Sequence, residues 1–136
     1  MSLDELLARA ASAIRRYLPE EARAAAEHGA LLVDIRSADA RRRDGVIPGA
    51  VHVTRTVLEW RTALDSEWRN ELLDGRSLIL VCDHGYSSVL AAATLVELGR
   101  DCGDVVGGFE AWAAAGLPVG AAGDDAPGLP GMGVPD

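Results

Sequence analysis

Apolar residues along this chain fall into two kinds of pattern. Residues 30–35, apolar but for Asp34, and 78–81, apolar throughout, are short runs without alternation, and such runs read as strands buried on both faces of a parallel sheet. Elsewhere the apolar positions recur three and four residues apart, which reads as helix. Leu3, Leu6, Leu7, Ala10, Ala13 and Ile14 predict an amphipathic helix over 3–16, capped by Ser2, with acids in its first turn and Arg15 and Arg16 in its last. Tyr17-Leu18 is expected as a brief edge strand, after which Pro19 opens a helix over 20–28 that Gly29 ends, with His28 a partner for its terminal dipole.

Ser37 caps a short helix that carries Arg41, Arg42 and Arg43, a run that reads as a solvated face, with a basic docking patch as the sharper alternative. Pro48-Gly49 marks a turn before the short strand Val51-His52-Val53, in which His52 reads as a satisfied structural group. Two helices are expected over 54–64 and 65–73, the second capped by Asp65 or Ser66, with Trp68, Leu72 and Leu73 on one face. A further helix over 88–98, capped by Ser87 or Ser88, ends at Gly99. Cys102 falls in a turn before the last strand, Asp104-Val105-Val106, and a final helix over 108–115 turns Phe109 and Trp112 inward.

Strands alternating with helices predict an α/β fold: a central parallel sheet of four to five strands flanked by helices on both faces, with the site at the carboxyl ends of the strands. Residues 1–18 form an N-terminal helical extension, 19–119 the domain, and 120–136 a Gly/Pro-rich tail, flexible or laid along the surface. The extra helix either packs on its own domain or pairs two copies in a homodimer, and the pattern leaves both open.

With 136 residues and 49% apolar composition, one folded domain is expected. The net charge of −8, with every basic residue an arginine, disfavours nucleic acid as a partner. The only cysteines are Cys82 and Cys102, so neither CxxC nor a zinc-ligand spacing exists, and no metal or cofactor is expected. No leader pattern and no membrane-length apolar run is present, and a soluble, reducing, cytoplasmic setting follows as an expectation.

The chemistry centres on Cys82. A buried strand ends there, turns through a short polar loop with Gly85, and restarts as a helix at Ser88. Loop amides and the positive end of the following helix make an anion cradle, which favours thiolate over thiol and so a reactive cysteine. The plain alternative is a strand-end cysteine acting as a small hydrophobe. Asp34 and Arg36 end the neighbouring strand and are plausible neighbours of the loop.

Val33-Asp34-Ile35-Arg36, Ile47-Pro48-Gly49-Ala50-Val51-His52, Val81-Cys82 with Gly85 and Ser88, and Gly107-Gly108-Phe109-Glu110-Ala111-Trp112 with Gly116-Leu117-Pro118-Val119 together resemble the single-domain rhodanese family. The resemblance implies a sulfurtransferase that carries a sulfane sulfur as a persulfide on Cys82 and passes it to cyanide or a thiol. It implies that Asp83, His84, Gly85, Tyr86 and Ser87 hold the outer sulfur through their amides, that Asp34 and Arg36 are structural or support the site, and that Trp112 packs the core. The six residues from Cys82 to Ser87 match the loop of sulfur-transferring members, whereas related phosphatases use a longer loop ending in an arginine that grips phosphate; here serines stand in both candidate positions.

Three features depart from the family pattern: Ser87 where arginine is common, Asp83 where a basic residue often follows the cysteine, and Val46 where histidine commonly precedes the Ile-Pro-Gly turn. Asp83 opposes an anionic donor, and His84 beside it offsets that charge when protonated or serves as a proton donor. The expected partners are therefore a small sulfur donor of low charge or a protein-bound persulfide, and a cyanide or thiol acceptor. The competing reading is a non-catalytic domain of the same fold that docks or senses a protein partner.

Overall fold

The computed structural model describes residues 1–123. Helix α1 (Leu3–Ser12) is followed by β1 (Arg15–Tyr17), α2 (Pro19–Glu27), β2 (Leu31–Asp34), α3 (Ala38–Asp44), β3 (Val51–His52), α4 (Leu58–Thr62), β4 (Leu78–Val81), α5 (Ser87–Glu97), β5 (Cys102–Val105) and α6 (Gly108–Ala114). All five strands are parallel, in the order β1-β5-β4-β2-β3. Among the described residues no helix is long and apolar enough to cross a membrane.

β4 lies at the centre, and its unbroken apolar run has a direct cause. Alternate side chains of a strand point to opposite faces, so a strand covered on both sides needs apolar residues at every position. Leu78, Leu80 and Cys82 enter one core with Ala91, Ala92 and Leu95 of α5 and Leu58 of α4. Ile79 and Val81 enter the other, with Ala22 of α2 and Phe109 and Trp112 of α6. Two separate cores thus meet only through the sheet.

The sequence reading differs from the structure at four places. α1 stops at Ser12 because Arg15–Tyr17 pair with Gly103–Val105 as the edge strand; Ile14 and Tyr17 satisfy either period, and the backbone ladder decides. α1 packs across α5 on its own domain, burying Ala10. Over 54–73 the two long helices are replaced by a 3₁₀ turn at Arg55–Val57, the short α4, and a second 3₁₀ turn at Glu71–Leu73. Local polar bonds break the helix there: Ser66 Oγ donates to the Trp60 carbonyl and accepts from Trp68 N–H, and Asn70 N–H returns to the Arg61 carbonyl at 2.8 Å. Leu73 is buried while Trp68 and Leu72 remain exposed.

Cys102 is the first residue of β5 rather than a turn residue. Finally, α5 starts at Ser87 with Tyr86 in the capping position, and no hydroxyl caps it. Most of the tail, 124–136, lies outside the described residues; Gly120 pairs with Val46 through two backbone hydrogen bonds of 2.8 and 2.9 Å.

Candidate active site

Cys82 follows the carboxyl end of β4 and is 5% exposed. Two polar groups sit on its sulfur: the Gly85 N–H at 3.1 Å and the Ser88 hydroxyl at 3.2 Å. The loop can bring Gly85 N–H round to the sulfur because Gly85 has φ of +83°, a conformation that side-chain-bearing residues rarely adopt. Burial pushes the Cys82 thiol up, but hydrogen bonding from the Ser88 and Ser87 side chains and from the backbones of Ser88 and Gly85 outweighs it, so the thiol lies below its usual value. The eleven-residue α5 starts behind it and adds the positive end of its dipole.

The loop is held from outside by the turn into α6. Phe109 N–H donates to the Cys82 carbonyl at 2.8 Å and Glu110 N–H to the Asp83 carbonyl at 3.1 Å. This contact needs glycine at 108, where a Cβ would stand 2.4 Å from the Cys82 carbonyl oxygen, and at 85, where one would stand 2.6 Å from Gly107 N.

Asp34 and Arg36 reach the loop at one remove. The Arg36 guanidinium binds both buried Asp34 oxygens at 3.0 and 2.8 Å and the part-buried Gly45 carbonyl at 2.7 Å, and its carbon stacks 3.8 Å from the centre of the Phe109 ring. The strand-end pair therefore supports Phe109, which in turn holds Cys82. His52, buried, meets the Arg36 carbonyl through Nε2 at 2.8 Å and Arg41 through Nδ1 at 3.2 Å, in keeping with a structural group. The arginine run of α3 is not a free basic face: Arg41 also approaches Asp34 at 3.5 Å, Arg42 pairs with Asp39, and Arg43 pairs with Asp44 at 2.9 Å.

Beside the loop, against Asp83 and His84, lies an open recess of about 560 Å³ bordered also by Arg43, Asp44 and Glu110 over the Phe109 ring. His84 Nδ1 meets Glu110 at 2.6 Å, so the imidazole is engaged by a carboxylate rather than left to offset Asp83. Three carboxylates face one arginine and one histidine, and this recess beside the loop carries net negative charge. Tyr86 of the loop is largely exposed.

Two residues joined to the site escaped the sequence reading. Asp104 of β5 is fully buried and accepts from Ser88 Oγ at 2.7 Å, and Arg16 of β1 binds Asp104. The signal available was the carboxylate itself, a charge placed between Gly103 and Val105 in a strand otherwise fit for burial.

A rhodanese-like domain family model matches residues 18–115, the span that contains the loop, β4 and the turn into α6. The thiosulfate sulfurtransferase GlpE of Pseudomonas savastanoi pv. phaseolicola is 38% identical over 102 residues, 74% of this chain and 88% of that protein. Among solved structures, a protein of unknown function from Rhodopseudomonas palustris, described as a possible tyrosine phosphatase, superposes with a TM-score of 0.81 at 29% identity, over 88% of this chain and 94% of its own. The thiosulfate sulfurtransferase of Pseudomonas aeruginosa shares the fold, with a TM-score of 0.64 at 24% identity over 80% of this chain and 20% of its own. A match that takes in the cysteine loop together with the strand and the turn that hold it makes this chain a member of the rhodanese-like domain family.

Proposed function

We propose that the protein is a sulfurtransferase in which Cys82 carries the sulfane sulfur. The observation that carries this reading is the Cys82 sulfur itself, held at the start of α5 with the Gly85 N–H and the Ser88 hydroxyl on it. In the first step the Cys82 thiolate attacks the outer sulfur of the donor. The Cys82 S–S bond forms, the donor's S–S bond breaks, and the leaving group departs with the electron pair, as sulfite when the donor is thiosulfate. In the second step an acceptor thiolate or cyanide attacks the outer sulfur and releases the Cys82 thiolate, giving a new persulfide or thiocyanate. Between the steps the charge sits on the outer sulfur, where the amides of residues 83–87 and the dipole of α5 stabilise it.

The negative charge beside the loop opposes a dianionic donor. Asp83, with Asp44 and Glu110 behind it, favours a donor of low charge or a persulfide on a protein over thiosulfate. Phosphoryl chemistry, suggested for the Rhodopseudomonas palustris protein, needs an arginine to grip phosphate oxygens, and the residues after Tyr86 are Ser87 and Ser88. Both cysteines are free thiols, in keeping with a reducing, cytoplasmic setting.

Intact mass after exposure to a thiol persulfide or thiosulfate, then to cyanide, tests the reading. The wild type is expected to gain one sulfur and lose it to cyanide, and Cys82→Ser to gain none; no gain with any donor would leave the docking-domain alternative standing. Asp83→Arg is expected to lower the thiosulfate KM about threefold to tenfold, as reversal of one charge near an anion's path does. An unchanged KM would remove the electrostatic argument and leave the sulfur transfer intact.

A further inference from the structure

A chain of polar groups runs inward from the Cys82 sulfur. Ser88 Oγ lies 3.2 Å from the sulfur and 2.7 Å from Asp104 Oδ2. Asp104 is held by Arg16, whose Nε reaches Oδ1 at 2.9 Å and whose Nη2 reaches Oδ2 at 3.1 Å. The same Nη2 donates to the Gly85 carbonyl at 2.9 Å. Both residues bonded to the sulfur are thus gripped from behind, Ser88 by Asp104 and Gly85 by Arg16. Arg16 lies outside the 18–115 match.

A serine hydroxyl has one proton and lone pairs to accept with. Here two acceptors compete for that proton, a carboxylate and, once Cys82 ionises, a thiolate. The bond to the carboxylate is short and charge-assisted, so it takes the proton in the resting protein. In the thiol state Ser88 therefore accepts from the Cys82 S–H, and when Cys82 ionises it must leave the carboxylate to donate to the thiolate. The first of these bonds supports the thiol and the second the thiolate. The competition thus reduces but does not abolish the help that the Ser88 hydroxyl gives the thiolate.

We propose that Asp104 is a positioning residue that competes with the Cys82 sulfur for the Ser88 proton and so sets how readily Cys82 ionises, with Arg16 holding the carboxylate in place. The competition bears on the free thiolate. Once the sulfur is a persulfide its charge has moved outward, and Ser88 bonds to Asp104 without a rival. The charged and titratable groups around Cys82 are Arg16 on β1, Asp34 and Arg36 at the end of β2, Arg43 and Asp44 on α3, Asp83 and His84 in the loop, Asp104 on β5 and Glu110 on α6; α5 contributes hydroxyls. Of these, Asp104 is the one bonded to Ser88.

The rate of Cys82 alkylation by iodoacetamide as a function of pH, followed by peptide mass, tests this with no sulfur donor present. It needs only that Cys82 reacts as a thiolate, so its failure is separate from a failure of sulfur transfer. Asp104→Asn is expected to lower the midpoint of the profile by about one pH unit, a tenfold gain in the thiolate ratio. In a Ser88→Ala background the same substitution is expected to move it by less than half as much. Equal shifts in both backgrounds would mean that the charge acts straight through space, and no shift in either would mean that Asp104 is structural; each overturns the proposal. The paired variant Arg16→Met with Asp104→Leu removes both charges together and leaves Ser88 free to donate to sulfur. It is expected to give the same downward shift, and a midpoint unchanged or raised in this charge-neutral variant would equally overturn the proposal.

Discussion

The two cysteines are nearly equally buried, 5% exposed at Cys82 and 4% at Cys102, and yet the protein treats them in opposite ways. Cys102 opens β5 opposite Leu78, while Cys82 follows the other end of β4, four residues on and so about 13 Å away at ordinary strand rise. That span alone rules out a disulfide without movement of the strands. Burial pushes the Cys102 thiol up to about 12, with only partial relief from Arg100, and its sulfur has a backbone carbonyl at 3.6 Å as partner. At Cys82 burial acts in the same direction, and donors from the loop and from α5 reverse it. The difference in thiol acidity is therefore set by the strand end, where a loop and a helix start supply donors, and not by burial.

The largest expected effect is a contrast in alkylation. At pH 8 iodoacetamide should modify Cys82 at least ~100-fold faster than Cys102, given thiolate populations separated by more than about three pH units and a partly offsetting loss of nucleophilicity. Peptide mass at early times reads the ratio, and comparable labelling of the two would break the comparison. A smaller effect is expected from Gly108→Ala. Its methyl group would drive into the Cys82 carbonyl, so the loop must shift, at about 1–3 kcal/mol of strain. Cys82 alkylation should slow about tenfold while Cys102 keeps its slow rate, and an unchanged Cys82 rate would show that the turn into α6 does not hold the loop.

The smallest effect concerns stability. Above pH 9 the unfolded chain releases the Cys102 proton and the folded chain keeps it, so folding loses up to about 1.4 kcal/mol for each pH unit between 9 and about 12. In Cys102→Ala this loss is absent. Denaturation midpoints at pH 8.5 and 10.5 should therefore converge in the variant, and parallel declines in both proteins would mean that the thiol titrates normally.

What could be read from the chain follows from the range of the interactions involved. The uninterrupted run at 78–81, the serine cap before α3 and the cysteine between strand and helix are local patterns with local causes, and so are the turns at Gly29 and Gly99. The strand at Arg15–Tyr17 is set by β5, eighty-eight residues away at the Arg16–Asp104 pair, and a helical period absorbed it. Ser87 and Ser88 look like caps because serine at a helix start commonly is one; Asp104, remote in the chain, takes the Ser88 hydroxyl instead. Likewise the region 54–73 carries helical spacing, and its side chains bond to their own backbone rather than continue the helix.

β1 has a consequence for self-association. It covers the outer side of β5 in a ladder from Gly103 to Val105, and Gly103 lets the two backbones approach so closely that a Cβ there would stand 2.2 Å from the Arg15 carbonyl oxygen. A chain trimmed to the family boundary at residue 18 would lose that cover and leave β5 as an open strand edge with unpaired N–H and C=O groups, a template onto which another copy can add. The seventeen residues before the boundary thus also protect against aggregation, and a shortened domain is expected to be the stickier protein.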